Sequence, residues 1–214
     1  MVPRERTLLG GVIISVVFYF LFAQSTKTHT GFSGADDAVW RFFSKQDVHF
    51  IHSTAHAITS VGVVSVLLPL SLGAGCWIFV RSKSFAYAVA PFFSVQITAT
   101  LVSTVKKSVN SARPPISSHI YPVHSAAFPS GHAADTTALV VAVAVFVWAI
   151  SRSDQVRRDS AFAACVVIVV MGATRLILNV HWLSDVLGGT FLGMAVALTV
   201  STICIRTDKL LKRV

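Results

Sequence analysis

Charge is what this sequence has least of. Only 13% of its 214 residues are Asp, Glu, Lys or Arg, against 54% apolar ones, whereas a soluble domain carries roughly 25% charged residues. With a mean hydropathy of +0.70, that shortage excludes an ordinary soluble globule and points to a chain whose solvent is lipid. No basic stripe interleaved with aromatics occurs, so the formal charge of +9 does not describe a nucleic-acid surface; the Lys and Arg stand in short clusters between apolar runs. The cysteines, Cys76, Cys165 and Cys204, fall inside apolar segments without disulfide or zinc-ligand spacing, and read as small core residues. No internal repeat or low-complexity stretch is present. Carboxylates do not cluster either, which argues against a two-metal centre.

What is present is a series of apolar runs. About 20 such residues cross a bilayer as a helix, and six runs qualify: 8–23, 58–80, 85–105, 131–150, 161–178 and 182–205. The expectation is one all-α domain over 1–214, a six-transmembrane helical bundle, because lipid-exposed backbone must satisfy its own hydrogen bonds. The first run follows Arg4 and Arg6, so a cleaved signal peptide is its rival reading; Ala23-Gln24-Ser25 makes a poor cleavage site. Gly73, Gly75, Gly188, Gly189 and Gly193 lie within runs, where small residues let helices approach closely.

The positive-inside rule orients the bundle. One side would hold Arg4, Arg6, Arg81, Lys83, Arg152, Arg157, Arg158, Arg206, Lys209, Lys212 and Arg213, eleven of the eighteen Lys and Arg. Lys27, Arg41, Lys45, Lys106, Lys107, Arg113 and Arg175 fall on the other. Both termini are then cytoplasmic in a cell membrane, and the connections 24–57, 106–130 and 175–181 face outward. Segment 35–50 is too short to span, and Val39, Trp40, Phe43 and Phe50 share a face at helical spacing. It reads as an interfacial amphipathic helix, or as a loop packing its aromatics on the bundle.

Three outward stretches carry the unusual residues. Lys106 ends a span and Arg113-Pro114 follows seven residues later, almost two helical turns, so both cations can share a face before Pro114 stops the helix. Alone, such a pair could be interfacial anchoring. Pro129-Ser130-Gly131-His132 opens the fourth span: Ser130 suits an N-cap, Gly131 lets an anion approach the backbone, and helix N-terminal amides point outward. Asp135, one turn deeper, reads as structural or as partner to a hydroxyl or imidazole. Thr174-Arg175 closes the fifth span, and His181 and Asp185 open the sixth on one helical face. A carboxylate there accepts from one ring nitrogen and leaves the other as a nucleophile. Each stretch has a bland reading. Together they put three cations, helix amides, two His and an Asp at span ends on one side, where ionisable groups are costly and functional.

Lys106-x6-Arg113-Pro114, Pro129-Ser130-Gly131-His132 and Thr174-Arg175-x5-His181-x3-Asp185 resemble the three-part signature of the type 2 phosphatidic acid phosphatase (PAP2) family. Thr174 stands where Ser is commoner. The resemblance implies a PAP2/haloperoxidase-like helical core and metal-independent, cofactor-free hydrolysis of a lipid phosphate or diphosphate through a phosphohistidine. It implies His181 as nucleophile held by Asp185, and His132 as acid and then base. Lys106, Arg113, Arg175, Ser130 and Gly131 would bind the phosphate oxygens. The partners are then the bilayer and a lipid such as undecaprenyl diphosphate, phosphatidylglycerophosphate or phosphatidate, with the carrier lipid slightly ahead. Rivals are a lipid-to-lipid phosphotransferase using the same site and a non-catalytic phospholipid carrier or sensor. A vanadate haloperoxidase shares a similar site, but six spans argue against it. His124 is read as a solvated loop residue; His29, His49, His52, His56 and His119 receive no role.

Overall fold

The computed structural model describes residues 5–28, 32–45 and 49–213. Among them the regular structure is wholly helical: α1 (Glu5–Thr28), α2 (Ser33–Ser44), α3 (His49–Ser60), α4 (Val64–Ser82), α5 (Phe85–Ala88), α6 (Ala90–Val109), α7 (Gly131–Ile150), α8 (Asp154–Ile177) and α9 (Leu183–Leu211), with a 3-10 turn at Ile116–Ser118. Six stretches are long and apolar enough to cross a bilayer: Glu5–Thr26, Val64–Ser82, Phe85–Val109, Gly131–Ile150, Asp154–Ile177 and Leu183–Leu211. Large apolar side chains such as Ile13, Phe20, Leu72 and Val169 cover the outside, the surface of a protein solvated by lipid. The chain is an all-α, six-span membrane bundle.

Its boundaries depart from the expected ones wherever hydropathy had nothing to mark them. The second span begins at Val64 rather than 58, because residues 58–60 close α3 and a turn through Val61 and Gly62 intervenes. The third is interrupted between Ala88 and Ala90, just before Pro91 in the first turn of α6. The fifth starts earlier than 161, at Asp154, where the Ser153 hydroxyl accepts from the Val156 N–H at 3.4 Å. The first and last run past their apolar limits. There Glu5 pairs with Arg206 at 3.3 Å and Lys209 at 3.1 Å, so the two ends of the described chain share one end of the bundle; Arg4 lies outside the described residues.

Segment 35–50 is not one element. Val39, Trp40 and Phe43 are half-buried on α2, whereas Phe50 is exposed and belongs to α3. Of the cysteines, only Cys204 is a core residue; Cys76 and Cys165 are exposed on the bundle's outer face. Hydropathy alone does not tell a lipid-facing position from a core one.

α9 and α7 are the most enclosed spans, and α9 packs against α1, α7 and α6. Glycines set how near they come. A Cβ on Gly193 would lie 2.1 Å from the Ala134 carbonyl oxygen, one on Gly189 2.5 Å from that of Ser130, and one on Gly188 2.3 Å from the Phe128 ring. Gly75 meets the Ala88 carbonyl in the same way, but Gly73 faces open space and sets no contact. At the end of the bundle opposite Glu5, the end of α6, the start of α7, the end of α8 and the start of α9 come together. Backbone bonds from Ser130 N–H to Asp185 O at 3.0 Å and from Ile120 N–H to Leu178 O at 3.3 Å tie their loops.

Candidate active site

Lys106 lies in the last turn of α6. Asn110 ends that helix in the left-handed region (φ 45°), and its N–H bonds to the Lys106 carbonyl at 3.0 Å. Arg113 therefore does not share a helical face with Lys106, as the seven-residue spacing suggested; it returns on a loop. Both cations still meet the loop before α7. The Lys106 ammonium donates to the carbonyls of Ala126 and Ala127. Arg113 spends its whole fork: Nε donates to the Ser125 carbonyl at 2.8 Å, Nη2 to the Ser125 hydroxyl at 3.2 Å, and Nη1 to the Val180 carbonyl. The same Nη1 lies 3.3 Å from Nε2 of His181.

Ser130 stands at the N-cap of α7, but its hydroxyl makes no capping bond; Oγ is fully enclosed and has no partner among the described residues. A buried polar atom without a partner is costly, so one left so at a helix N-terminus is suited to an anion. Gly131 follows, open enough that a Cβ would touch only Val102, at 3.5 Å. His132 is on the first turn, its ring against the α3–α4 turn: a Cβ on Gly62 would lie 3.1 Å from its Cδ2. Among the described residues it makes no hydrogen bond. Asp135 is buried a turn deeper, with Oδ1 enclosed and without a partner among the described residues.

Arg175 is buried at the end of α8. Its Nη1 donates to the Thr59 hydroxyl of α3 at 2.7 Å, and its guanidinium lies 5.7 Å from the Tyr121 ring centroid, while Nε has no hydrogen-bond partner among the described residues. The Thr174 hydroxyl is turned back onto the Met171 carbonyl at 2.7 Å. Asn179, in the left-handed region (φ 55°), reverses the chain. His181 precedes α9, which begins at Leu183, so the His181–Asp185 pair is made across the helix entrance rather than along a helical face. Nδ1 lies 3.2 Å from Asp185 Oδ2, and that oxygen also accepts the Trp182 N–H at 2.9 Å. A carboxylate can only accept there, so Nδ1 carries the hydrogen, and Nε2 presents its lone pair to Arg113.

The surroundings also keep the ring unprotonated. Burial first, then the nearby Arg113, Arg175, Lys106 and His132, push the His181 imidazole well below its ordinary 6.5. It is neutral at pH 7, as a nitrogen nucleophile must be. Burial also lowers Arg113, which Asp185 partly offsets, and an arginine so perturbed still keeps its charge. All eight site residues expected from sequence thus collect around His181 and the α7 N-terminus. Among the described residues no group of His, Cys, Asp and Glu is placed to hold a metal ion.

Sequence reading missed the supports. Thr59 and Tyr121 seat Arg175, and Asp36 of α2 binds the first turn of α9, each from a segment with no motif of its own. His119, given no role, donates Nε2–H to the Pro114 carbonyl at 2.9 Å and holds the turn after Arg113. His124 is exposed, as read. His29 lies outside the described residues.

The chain is similar to known proteins in family and in fold. The model of the PAP2 superfamily matches residues 87–207. Phosphatidylglycerophosphatase B of Bacillus subtilis (strain 168) is 25% identical over 184 residues, covering 85% of this chain and 89% of that protein. The crystal structure of a transmembrane PAP2 type phosphatidylglycerolphosphate phosphatase from Bacillus subtilis superposes with a TM-score of 0.81 at 23% identity, over 91% of this chain and 96% of that one. Aquifex aeolicus LpxE gives a TM-score of 0.56 at 18% identity, over 79% and 93%.

Proposed function

The chain belongs to the PAP2 superfamily, and on that footing we propose that it is a lipid phosphatase working through a phosphohistidine at His181. One observation carries the reading. His181 has Nδ1 fixed on Asp185 at 3.2 Å and its Nε2 lone pair turned to the Arg113 guanidinium at 3.3 Å. A holding site needs cations; it does not need an imidazole kept neutral and aimed among them.

In the first step Nε2 of His181 forms a bond to phosphorus while the bond to the lipid oxygen breaks, and His132 gives that oxygen its proton. Arg113 turns its N–H from the imidazole to a phosphate oxygen. Lys106, Arg175, the Ser130 hydroxyl and the Gly131 amide take up the charge on the others. Asp185 steadies the Nδ1–H of the phosphoimidazole. In the second step His132, now neutral, takes a proton from water, whose oxygen attacks phosphorus; phosphate leaves and His181 regains its lone pair. Phosphoryl transfer asks mainly for positioning and charge, which three cations supply.

The 25% identical relative, a phosphatidylglycerophosphatase, supports ranking phosphatidylglycerophosphate first among substrates, ahead of undecaprenyl diphosphate and phosphatidate. The whole chain acts as one domain. Both termini face the cytoplasm and the site faces outward, as the Lys and Arg clusters near the Glu5 end favour. The test is phosphate release by detergent-purified protein over these lipids in EDTA, without added acceptor, beside His181→Ala. Release by the parent and none by the variant is expected. Transfer only when an acceptor lipid is added would make it a phosphotransferase; tight binding without turnover would make it a carrier or sensor. Undiminished release by His181→Ala would remove the proposed nucleophile.

A further inference from the structure

Helix α2, between the first two spans, belongs to none of the three motifs, yet it is fastened to the site at two points. Asp36 spends both carboxylate oxygens on one residue of α9: Oδ1 accepts the Ser184 N–H at 2.8 Å and Oδ2 the Ser184 hydroxyl at 2.7 Å. Four residues on, the Trp40 indole N–H donates to the Ser118 hydroxyl at 3.1 Å, and its ring meets Trp182 edge to face at 6.3 Å. Ser184 precedes Asp185, the residue that holds His181, and Trp182 separates the two members of that pair.

A helix entrance is ordinarily capped by its own preceding residue. Here the N-cap position is Trp182, whose indole donates to the Ala112 carbonyl at 3.0 Å and offers the free amides no acceptor. Asp185 takes the Trp182 N–H, and the amide of Ser184, two residues on, goes to a carboxylate 148 residues away in sequence. The Ser184 hydroxyl is held at the same time, so that turn of α9 is fixed in rotation as well as in position. Asp37 lies beside Asp36 on α2 and is half-buried, but it pairs with Arg41 at 3.5 Å, and among the described residues no hydrogen bond joins it to α9.

We infer that Asp36 is a positioning residue for the His181–Asp185 pair, acting through Ser184. This rests on the reading of His181 as the nucleophile. Asp36 does not touch the reacting atoms. It fixes the turn from which Asp185 orients the imidazole, so its loss should lower the rate of the chemical step rather than the capture of substrate. A one-ångström error at such a pair costs far more than a lost surface bond.

The test uses the full chain in detergent with Asp36→Ala, Asp36→Asn and, as reference, His181→Ala, assayed on phosphatidylglycerophosphate and on p-nitrophenyl phosphate, which has no acyl tail. Asp36→Ala should lower kcat about 10- to 100-fold on both substrates, up to the cost of a one-ångström misplacement, with KM little changed. Asp36→Asn keeps one accepting oxygen and should recover part of that loss; it also serves if the alanine variant does not fold. A folded Asp36→Ala protein with the parent kcat would overturn the inference, as would a loss confined to the tailed lipid, which would mean that α2 only guides the lipid. If instead His181→Ala still turns over, the underlying reading of the site fails, whatever Asp36 does.

Discussion

The seam between α7 and α9 offers the sharpest quantitative test, because backbone rather than side chains fills it. In Gly189→Ala the new methyl would lie 2.5 Å from the Ser130 carbonyl oxygen and 3.3 Å from that residue's C and N. Carbon and oxygen settle at about 3.3 Å, so roughly 0.8 Å of separation must be found. No rotamer change can supply it, since every close atom is main chain, and neighbouring Gly193 packs against Ala134 more tightly still. Overpacking of this kind costs about 1 to 3 kcal/mol. The displacement falls on the bond from Ser130 N–H to Asp185 O at 3.0 Å, which ties the proposed phosphate-binding turn to the partner of the proposed nucleophile. A shift near 1 Å there should reduce kcat by about 10²-fold. The assay is phosphate release in detergent micelles alongside an apparent melting temperature. Gly73→Ala is the control, because its Cβ would meet nothing within 4 Å, and it should be neutral. A folded Gly189→Ala enzyme with the parent kcat would refute the idea that this seam sets the site's geometry.

Four further outcomes can be checked on the same preparation. Because burial and four cationic or imidazole neighbours hold His181 well below 6.5, the acidic limb of kcat/KM should lie below that value once the substrate's own ionisation near pH 6 is allowed for; a limb above 6.5 would contradict it. For stability, the unfolded chain binds the His181 proton on falling below 6.5 while the folded chain does not. This contribution is therefore complete above 6.5 and is lost as pH falls toward the depressed value, so His181→Gln should flatten the decline in melting temperature between pH 7 and 5. Thr59→Val leaves Arg175 Nη1 without its acceptor at 2.7 Å; an unmet buried donor costs about 1 to 3 kcal/mol, and a fall of about tenfold in kcat/KM is expected, whereas unchanged kinetics would show that Arg175 needs no such seat. Arg113→Lys keeps the charge but loses a fork engaged through all three nitrogens; kcat should drop about 10²- to 10³-fold, as for a lost oxyanion donor, and a lysine enzyme of parent activity would exclude that role.

The sequence by itself determined the class of solvent and the number of spans, and it named the candidate site residues. Each of these is local: an apolar run must be helical in lipid, and ionisable side chains at the ends of such runs are too costly to be idle. The fourth span, 131–150, was legible to the residue because Gly131 and Ser151 bound a run without interruption. Hydropathy did not mark the turn at Val61 and Gly62 or the break near Ala88, because the residues there remain apolar while the backbone changes direction. Nor did the spacing of Lys106 and Arg113 show that the second returns on a loop, since Asn110 ends the helix between them.

Only the tertiary structure decided what holds the site in register. Thr59, Tyr121, Asp36 and the glycine seam of α9 act across large separations in sequence, through contacts that exist once the bundle is packed. A lone Thr or Asp in a short amphipathic helix has no pattern of its own, and its partner is chosen by which helix ends meet. Likewise the free hydroxyl of Ser130 could not be told from a capping one before the fold showed it enclosed and unspent.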